Sequence, residues 1–289
     1  MPRLTSFNSA SRPIVDKNDR VVAVLVSKLQ DPGYTASCKR VEALMGREGG
    51  AAKFTVQDTV HKRGLFPAVN AGITHGQGGG SPVNLKSDHA ETLNRLLQDV
   101  DVQRLASAAD SGFASWAPEL YKHYHERLSR LWASHPNLHR NFSRSVYPTA
   151  AFNFGPRVRT YQHRDHLNCP YGWCAVQALG NFNPKEGGHL ILWELKLVVE
   201  FPAHSLILLP SAAVTHSNTA VKESETRFSF TQYCPGALFR YIDNGMMTDK
   251  DLRQKDKTLY EGRMLERQTR WSKCVELLPT LKSLGIAPA

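Results

Sequence analysis

The spacing of apolar and polar positions along the chain changes character several times. After a polar, turn-rich start, "VVAVLVSKL" (21–29) reads as a short buried strand through its valines. A small helix is expected at Cys38–Met45, and a second strand at "KFTVQDTV" (53–60). The stretch "HKRGLFPAVNAGITHGQGGGSPVNL" (61–85) carries enough glycine and proline to predict a long loop over most of its length. Leu93, Leu96, Leu97 and Val100 then follow the i, i+3, i+4, i+7 spacing of one helical face, with Asp88 as an upstream cap. Trp116, Leu120, Tyr124, Leu128, Leu131 and Trp132 form the stripe of a second helix, and both helices should buttress a sheet. Residues 146–243 are rich in Val, Ile, Leu, Phe and Thr in short runs broken by Gly, Pro and Asn, which predicts several short, mostly antiparallel strands. The tail, 248–284, sets Leu259, Leu265, Trp271 and Val275 among alternating charges and reads as mainly helical.

Composition narrows the class. At 289 residues the chain is near the upper limit for one hydrophobic core, so a core domain with extensions is expected. No run of about 18 apolar residues exists to span a bilayer, and the N-terminus lacks the apolar stretch of a secretory signal. The expected location is inside the cell, among reduced thiols. Five cysteines (Cys38, Cys169, Cys174, Cys234, Cys274), odd in number and without a C-x-x-C pair, argue for free thiols over a disulfide framework or zinc knuckle. Lysine and arginine exceed aspartate and glutamate by 36 to 26, a net charge of +10, which makes nucleic acid a candidate partner. "GQGGGSP" has no lysine followed by serine or threonine, so it is no phosphate-cradling P-loop.

The chemistry gathers around "HRDHLN" (163–168). His163 and Asp165 stand two apart, and on an extended strand they point to the same side. His216, 53 residues downstream and just after an apolar run, supplies a second imidazole. Two imidazoles and one carboxylate on one face of an octahedron leave positions open for a bidentate cosubstrate and dioxygen, as non-haem iron oxygenases require. Arg227 lies 11 residues after His216, and its rigid fork suits a carboxylate such as that of 2-oxoglutarate. Ser229 shares its face, and Asn153, ten residues before His163, can add a hydrogen bond from a neighbouring strand. Taken singly, each has an ordinary reading: a turn, a core histidine, a structural ion pair. Their joint order and spacing point to an iron and 2-oxoglutarate site. His166, His189 and His204 compete for the metal, though His166 would face away from Asp165 on an extended strand.

Through His163-x-Asp165, His216 and Arg227-x-Ser229 the chain resembles the iron(II) and 2-oxoglutarate dioxygenase superfamily. Within it, residues 172–245, from "GWCAVQALGNFNPKEGGHL" to "FRYIDNG", are similar to the fungal branch of the TET/JBP family, whose members oxidise methylated bases in DNA. "KRGLFPAVNAGITHGQGGG" resembles that branch's glycine-rich loop, so the similarity runs from about 60 to 245. The expected fold is α+β: a double-stranded β-helix (jelly-roll) core flanked by helices. Residues 1–60 would be an N-terminal extension packed on the core, and 61–245 the core itself, including glycine-rich loop 61–85 and support helices 87–135. Residues 246–289 would be a basic helical C-terminal extension.

The resemblance implies that His163, Asp165 and His216 bind Fe(II), and that Arg227, Ser229 and Asn153 bind 2-oxoglutarate, with O2 as co-substrate. It implies 5-methylcytosine in double-stranded DNA as substrate, flipped out and oxidised to 5-hydroxymethylcytosine and further products by hydrogen abstraction. A nuclear, monomeric protein is expected. The cysteine-rich zinc region of the animal TET catalytic domain is absent, so other elements must grip DNA. Lys62, Arg63, Gly78, Gly79, Gly80, Arg157 and Arg159 are the candidates, with His189 and Trp193 lining the base pocket. The alternative is an AlkB-like demethylase acting on N6-methyladenine or N-alkylated bases. That type usually carries a second arginine six residues after the cosubstrate arginine, where this chain has Tyr233. A protein or small-molecule hydroxylase, a silent DNA-binding module and a zinc hydrolase fit less well. The first sits less easily with the charge, the second with the complete ligand set, and the third leaves Arg227 and Ser229 without a role.

Overall fold

Strands at 149–153, 174–181 and 226–233 are buried on both faces almost throughout, as expected for the centre of a sheet covered on both sides. The computed structural model describes residues 1–4, 11–26, 31–76 and 78–287. The chain begins with β1 (Arg3–Leu4), β2 (Arg12–Val15), β3 (Val21–Val26), α1 (Pro32–Ala51), α2 (Val56–Thr59), β4 (Val60–His61), β5 (Gly64–Leu65), β6 (Ala68–Thr74) and β7 (Val83–Asn84). Three helices follow, α3 (Ala90–Gln98), α4 (Val100–Trp116) and α5 (Pro118–Ser134). Then come β8 (Thr149–Asn153), β9 (Cys174–Asn181), β10 (Leu190–Leu192), β11 (Leu197–Val199), β12 (Leu206–Leu209), β13 (His216–Asn218) and β14 (Thr226–Tyr233). The chain closes with α6 (Gly236–Asp243), α7 (Asp249–Lys255) and α8 (Lys257–Val275).

The strands form a large sheet in the order β2-β3-β12-β9-β14-β8-β6-β7 and a small one in the order β1-β11-β10-β13. The two lie face to face. Ala23, Leu25, Ala178, Ile207 and Leu209 of the large sheet pack on Leu190, Leu192 and Val199 of the small one. Register decides what else faces inward. Ser229 pairs with Asn153 and Ala178, and Thr231 with Ala151, so the period of two puts Arg227, Ser229, Thr231 and Tyr233 on one face with Asn153, Ala151 and Thr149. The alternate residues Phe152, Phe228 and Phe230 join Val41, Met45, Leu96 and Leu105 of the helical layer. Each such fully buried side chain contributes roughly 1.5–3 kcal/mol, so the polar inner face is held by an apolar outer one.

Several elements differ from the sequence reading, each for a local reason. The first helix runs 20 residues, not eight, because Asp31 accepts from Gly33 N and proline occupies the first turn. Residues 53–60 are no strand: Thr55 and Asp58 form a capping box that starts α2, and extended chain begins only at Val60. The expected long loop contains β6, a seven-residue strand of the large sheet whose Val69, Ala71 and Ile73 are buried in alternation. Gly72 sits there at φ +113°, and a Cβ on it would lie 2.1 Å from the Pro148 carbonyl oxygen. It permits a close strand approach instead of breaking the strand. Three helices occupy the expected two: Asp99 accepts from Asp101 N and Val102 N and starts α4, leaving Val100 75% exposed. Asp88 is not a cap; α3 begins after His89 without a side-chain bond. Pro118 then separates Trp116, the end of α4, from the Leu120–Tyr124–Leu128–Leu131 stripe of α5. Residues 27–29 of the first expected strand lie outside the described residues. All five cysteines are free and buried. The tail is helical as expected, but Leu259, Leu265 and Trp271 face solvent.

Candidate metal centre

The triplet lies beside, not within, a strand. His163 pairs with His216 of β13 through reciprocal backbone bonds of 3.0 and 2.9 Å, which brings the imidazole rings to 4.3 Å. Asp165 N donates to the Ser211 carbonyl at 3.0 Å, which fixes the carboxylate between the rings. Its oxygens stand 3.8 Å from His163 Nε2 and 4.0 Å from His216 Nε2, gaps that two bonds of about 2 Å can bridge through one ion. Among the described residues these three form the only such group of His, Cys, Asp and Glu. Each Nδ1 meets a carbonyl, Tyr161 O at 2.7 Å and Val214 O at 2.9 Å. A carbonyl only accepts, so Nδ1 carries the proton and Nε2 presents its lone pair inward. Burial, and then the neighbouring His216, hold His163 below the usual imidazole range, toward the neutral ligand form. The competing histidines are elsewhere: His204 is bonded to Glu42 Oε1 at 2.5 Å, His189 contacts Thr219 Oγ1 at 3.3 Å, and His166 is exposed.

Glu194, which sequence reasoning missed, clips the two ligand segments together. It accepts from Arg164, the residue between the two ligands of the triplet, and from Thr215 N at 2.7 Å, the residue before His216. Burial opposes the charge, but the bonds from Thr215 and Arg164 prevail and hold the Glu194 carboxyl down to about 2. No spacing rule announces such a clip; it exists only once the bridge of 163 to 216 has formed. Glu194→Ala is expected to weaken metal affinity by about 10- to 100-fold, the usual effect of an outer-shell change, while the fold survives. Titration with Fe(II) or Co(II), read against unchanged circular dichroism, checks this.

Arg227 is 3% exposed and has no acidic partner among the described residues. Its Nη1 donates to the Val158 carbonyl at 3.2 Å, its Nε is buried without a partner, and burial lowers its pKa to about 10. An unpaired buried cation is costly and normally awaits an anion. The neighbours suit one: Asn153 Nδ2 donates to Ser229 Oγ at 2.8 Å, and Asn153 Oδ1 is also buried and unpartnered. The Val158 carbonyl accepts as well from Asn218 Nδ2 at 3.2 Å, two residues beyond His216. The guanidinium is thereby tied through one shared oxygen to the strand that carries a metal ligand. Arg227, Ser229 and Asn153 therefore fit a carboxylate-bearing cosubstrate next to the metal group.

No family profile and no curated relative matches this sequence. Solved structures do. NgTET1, determined in complex with 5mC DNA, aligns with TM-score 0.55 over 81% of this chain and 82% of its own, at 12% identity. An oxidoreductase of the 2OG-Fe(II) oxygenase family from Burkholderia pseudomallei aligns with TM-score 0.41 over 81% of this chain and 95% of its own, at 18% identity. The fold is that of NgTET1. Onto this fold the chain brings a His-Asp-His group and a carboxylate-ready arginine, which fit Fe(II) and 2-oxoglutarate.

Other predicted residues are dispersed. A cavity of about 570 Å³ borders Asp165 and is lined by Arg63, Asn70, His75, Thr231, Tyr233 and Arg240 among others. Its size is ordinary for a ligand site. Of the expected grips only Arg63 reaches it; Lys62 is exposed on the turn beside it. Gly78, Gly79 and Gly80 are exposed at the tip joining β6 to β7, beyond His75 and Gly76 on the rim. Trp193 and Arg159 meet at a different cavity of about 360 Å³, with Tyr161 and Ser217, and Trp193 Nε1 donates to Ser217 Oγ. Arg157 is exposed and donates to the Glu223 carbonyl. The structure therefore scatters the expected DNA residues over two cavities and a hairpin tip, with Lys62, Arg157 and His189 outside all three. Asn70 and Tyr233, whose hydroxyl donates to Asn70 Oδ1 at 3.2 Å, and Arg240 are lining residues that the sequence did not single out. Tyr233 was findable, since the strand period puts it on the face of Arg227.

Proposed function

We propose that the chain is an Fe(II)- and 2-oxoglutarate-dependent dioxygenase that oxidises methylated bases in duplex DNA, with 5-methylcytosine converted to 5-hydroxymethylcytosine. The observation that carries the reading is the buried Arg227, without an acidic partner among the described residues and joined through the Val158 carbonyl to the strand of His216. A zinc hydrolase has no use for that cation. DNA is favoured by the net charge of +10, by arginines rather than acids around the cavity next to Asp165, and by the likeness of fold to a protein solved with 5mC DNA. The same reading makes the nucleus the place of action and a monomer the acting unit.

In this reading His163 and His216 hold the metal through Nε2 and Asp165 through its carboxylate. Arg227 would hold the carboxylate end of the cosubstrate, with Ser229 and Asn153 completing the pocket. When bound, iron with 2-oxoglutarate and dioxygen supplies the oxidation that turns a methyl C–H into C–OH, releasing succinate and carbon dioxide. The chain supplies placement. A stacked base cannot present its methyl group to a buried metal, so it must leave the helix at a cost of about a few kcal/mol, offset by pocket contacts and phosphate binding. Tyr233 and Asn70 offer polar contacts to its edge, and Arg63 lies where it passes.

The test is mass spectrometry of nucleosides after incubating the protein, Fe(II) and 2-oxoglutarate with duplexes carrying 5-methylcytosine, N6-methyladenine or N-alkylated bases. Hydroxymethylcytosine with matched succinate is expected. Loss of N-methyl groups alone would transfer the protein to the demethylase reading, and succinate without any base change would end both.

A further inference from the structure

Leu167 is 71% exposed, two residues beyond Asp165 in the hexapeptide that carries two of the three metal ligands. Single exposed leucines are common on protein surfaces. This one is unusual in how it is held and in what surrounds it. The Leu167 carbonyl accepts from Gly236 N at 2.8 Å, Asn168 N donates to Asp165 O at 2.9 Å, and Cys169 N to Cys234 O at 2.9 Å. The buried Asn168 amide donates to Ser211 Oγ at 3.2 Å and Cys174 Sγ at 3.3 Å. A stiff, backbone-clamped turn thus presents an isobutyl group to water where any polar residue could stand.

Its surroundings supply the rest. Leu167 separates the cavity beside Asp165 from a second one of about 420 Å³, lined by Arg240, Arg267, Arg270 and Trp271. Arg267 is engaged with Asp249 at 2.5 Å, and Arg240 lies 3.8 Å from the same carboxylate. Arg63 and Arg270, one on each side of the leucine, form no salt bridge among the described residues. The exposed Trp271 and the weakly packed α8, on which only Cys274 is buried, belong to the same surface. A rigid apolar point between uncommitted cations matches a stacked, polyanionic helix: methyl groups for the gap between base steps, guanidinium groups for the phosphates on either side.

We propose that Leu167 is a wedge that enters the base stack of duplex DNA, with Arg63 and Arg270 holding the flanking phosphates, so that the base beside it is delivered to the metal-side cavity. This rests on the nucleic-acid reading above, and goes further by assigning the docking face and the element that opens the helix. It also gives the basic tail a task, with α8 as one bank of the track.

The test uses the full chain loaded with Fe(II) and 2-oxoglutarate, and a short duplex with 2-aminopurine beside a 5-methylcytosine. Wild-type protein should raise 2-aminopurine fluorescence as the stack opens. Leu167→Ala should suppress that rise and slow duplex oxidation by about 10- to 100-fold, with oxidation of the same sequence as a single strand unchanged. Leu167→Met should retain both. Arg270→Ala should lower the slope of log Kd against log salt by about 1, the signature of one lost phosphate contact. Basal 2-oxoglutarate consumption without DNA serves as the check on folding and should match wild type in every variant.

Equal losses on duplex and single strand, or none on either, would overturn the wedge, as would an unchanged salt slope for the docking face. A matching rise with duplex RNA but none with DNA would overturn the assigned partner. A leucine-dependent rise without oxidation of any base leaves the wedge standing and removes the proposed reaction. Oxidation in which Leu167→Ala equals wild type does the reverse.

Discussion

Replacing Arg227 by leucine should make the ligand-free protein more stable and its hold on 2-oxoglutarate weaker. The guanidinium is buried, burial lowers its pKa to about 10, and no acid among the described residues compensates it. At about 1.4 kcal/mol per unit the charge costs the ligand-free fold on the order of 3 kcal/mol. Arg227→Leu removes that cost along with one bond to Val158, so the ligand-free protein should gain about 1–3 kcal/mol of stability and melt higher. The half-saturating 2-oxoglutarate concentration should rise by roughly 30-fold to several thousand-fold, as for truncating one partner of a buried charged contact. Wild type should be stabilised by added 2-oxoglutarate in the presence of a divalent metal, and the variant should not. A destabilised variant with an unchanged cosubstrate requirement would make Arg227 an ordinary structural residue.

Asp165→Ala should abolish 2-oxoglutarate turnover. Outer-shell changes at metal sites already cost about 10- to 100-fold, and this change removes a ligand, so the loss should exceed about 100-fold. Because Asp165 holds its turn through backbone bonds to Ser211 and Asn168, the turn and Leu167 should keep their places. DNA affinity by fluorescence anisotropy should therefore remain close to wild type, or rise slightly as a negative charge leaves the cavity. Succinate formation at the wild-type rate would sink the metal assignment.

The legible parts of the site were those set by strand periodicity. Arg227 and Ser229 could be placed on one face because residues two apart point the same way, and β14 obeys that rule through to Tyr233. His163, Asp165 and His216 were readable as an ordered set, although Asp165 is positioned by a turn bonded to Ser211 and not by strand alternation. Glu194, Asn218 and Asn168 were invisible because their partners lie 20 to 60 residues away and meet only after the sheets close. In the fold, β6 was hidden by Gly72, a glycine that signals a loop in sequence but marks tight contact with Pro148 in space. The break between α3 and α4 was hidden for a different reason: Asp99 caps a helix inside a stretch whose apolar period runs on through Val100. The DNA-facing residues were the least legible. Charge can be counted along a chain, but which arginines share a cavity depends on how α6, α8 and the 163–168 turn come together.

The oxygen of Val158, which receives both Arg227 Nη1 and Asn218 Nδ2, leaves the two halves of the centre with no independent adjustment. An engineer who reshapes the floor around 227 to admit a longer or shorter keto acid also shifts the support of His216. Selection for a new cosubstrate would therefore drag iron retention with it, and useful variants should arise in pairs, one change at each end of that carbonyl.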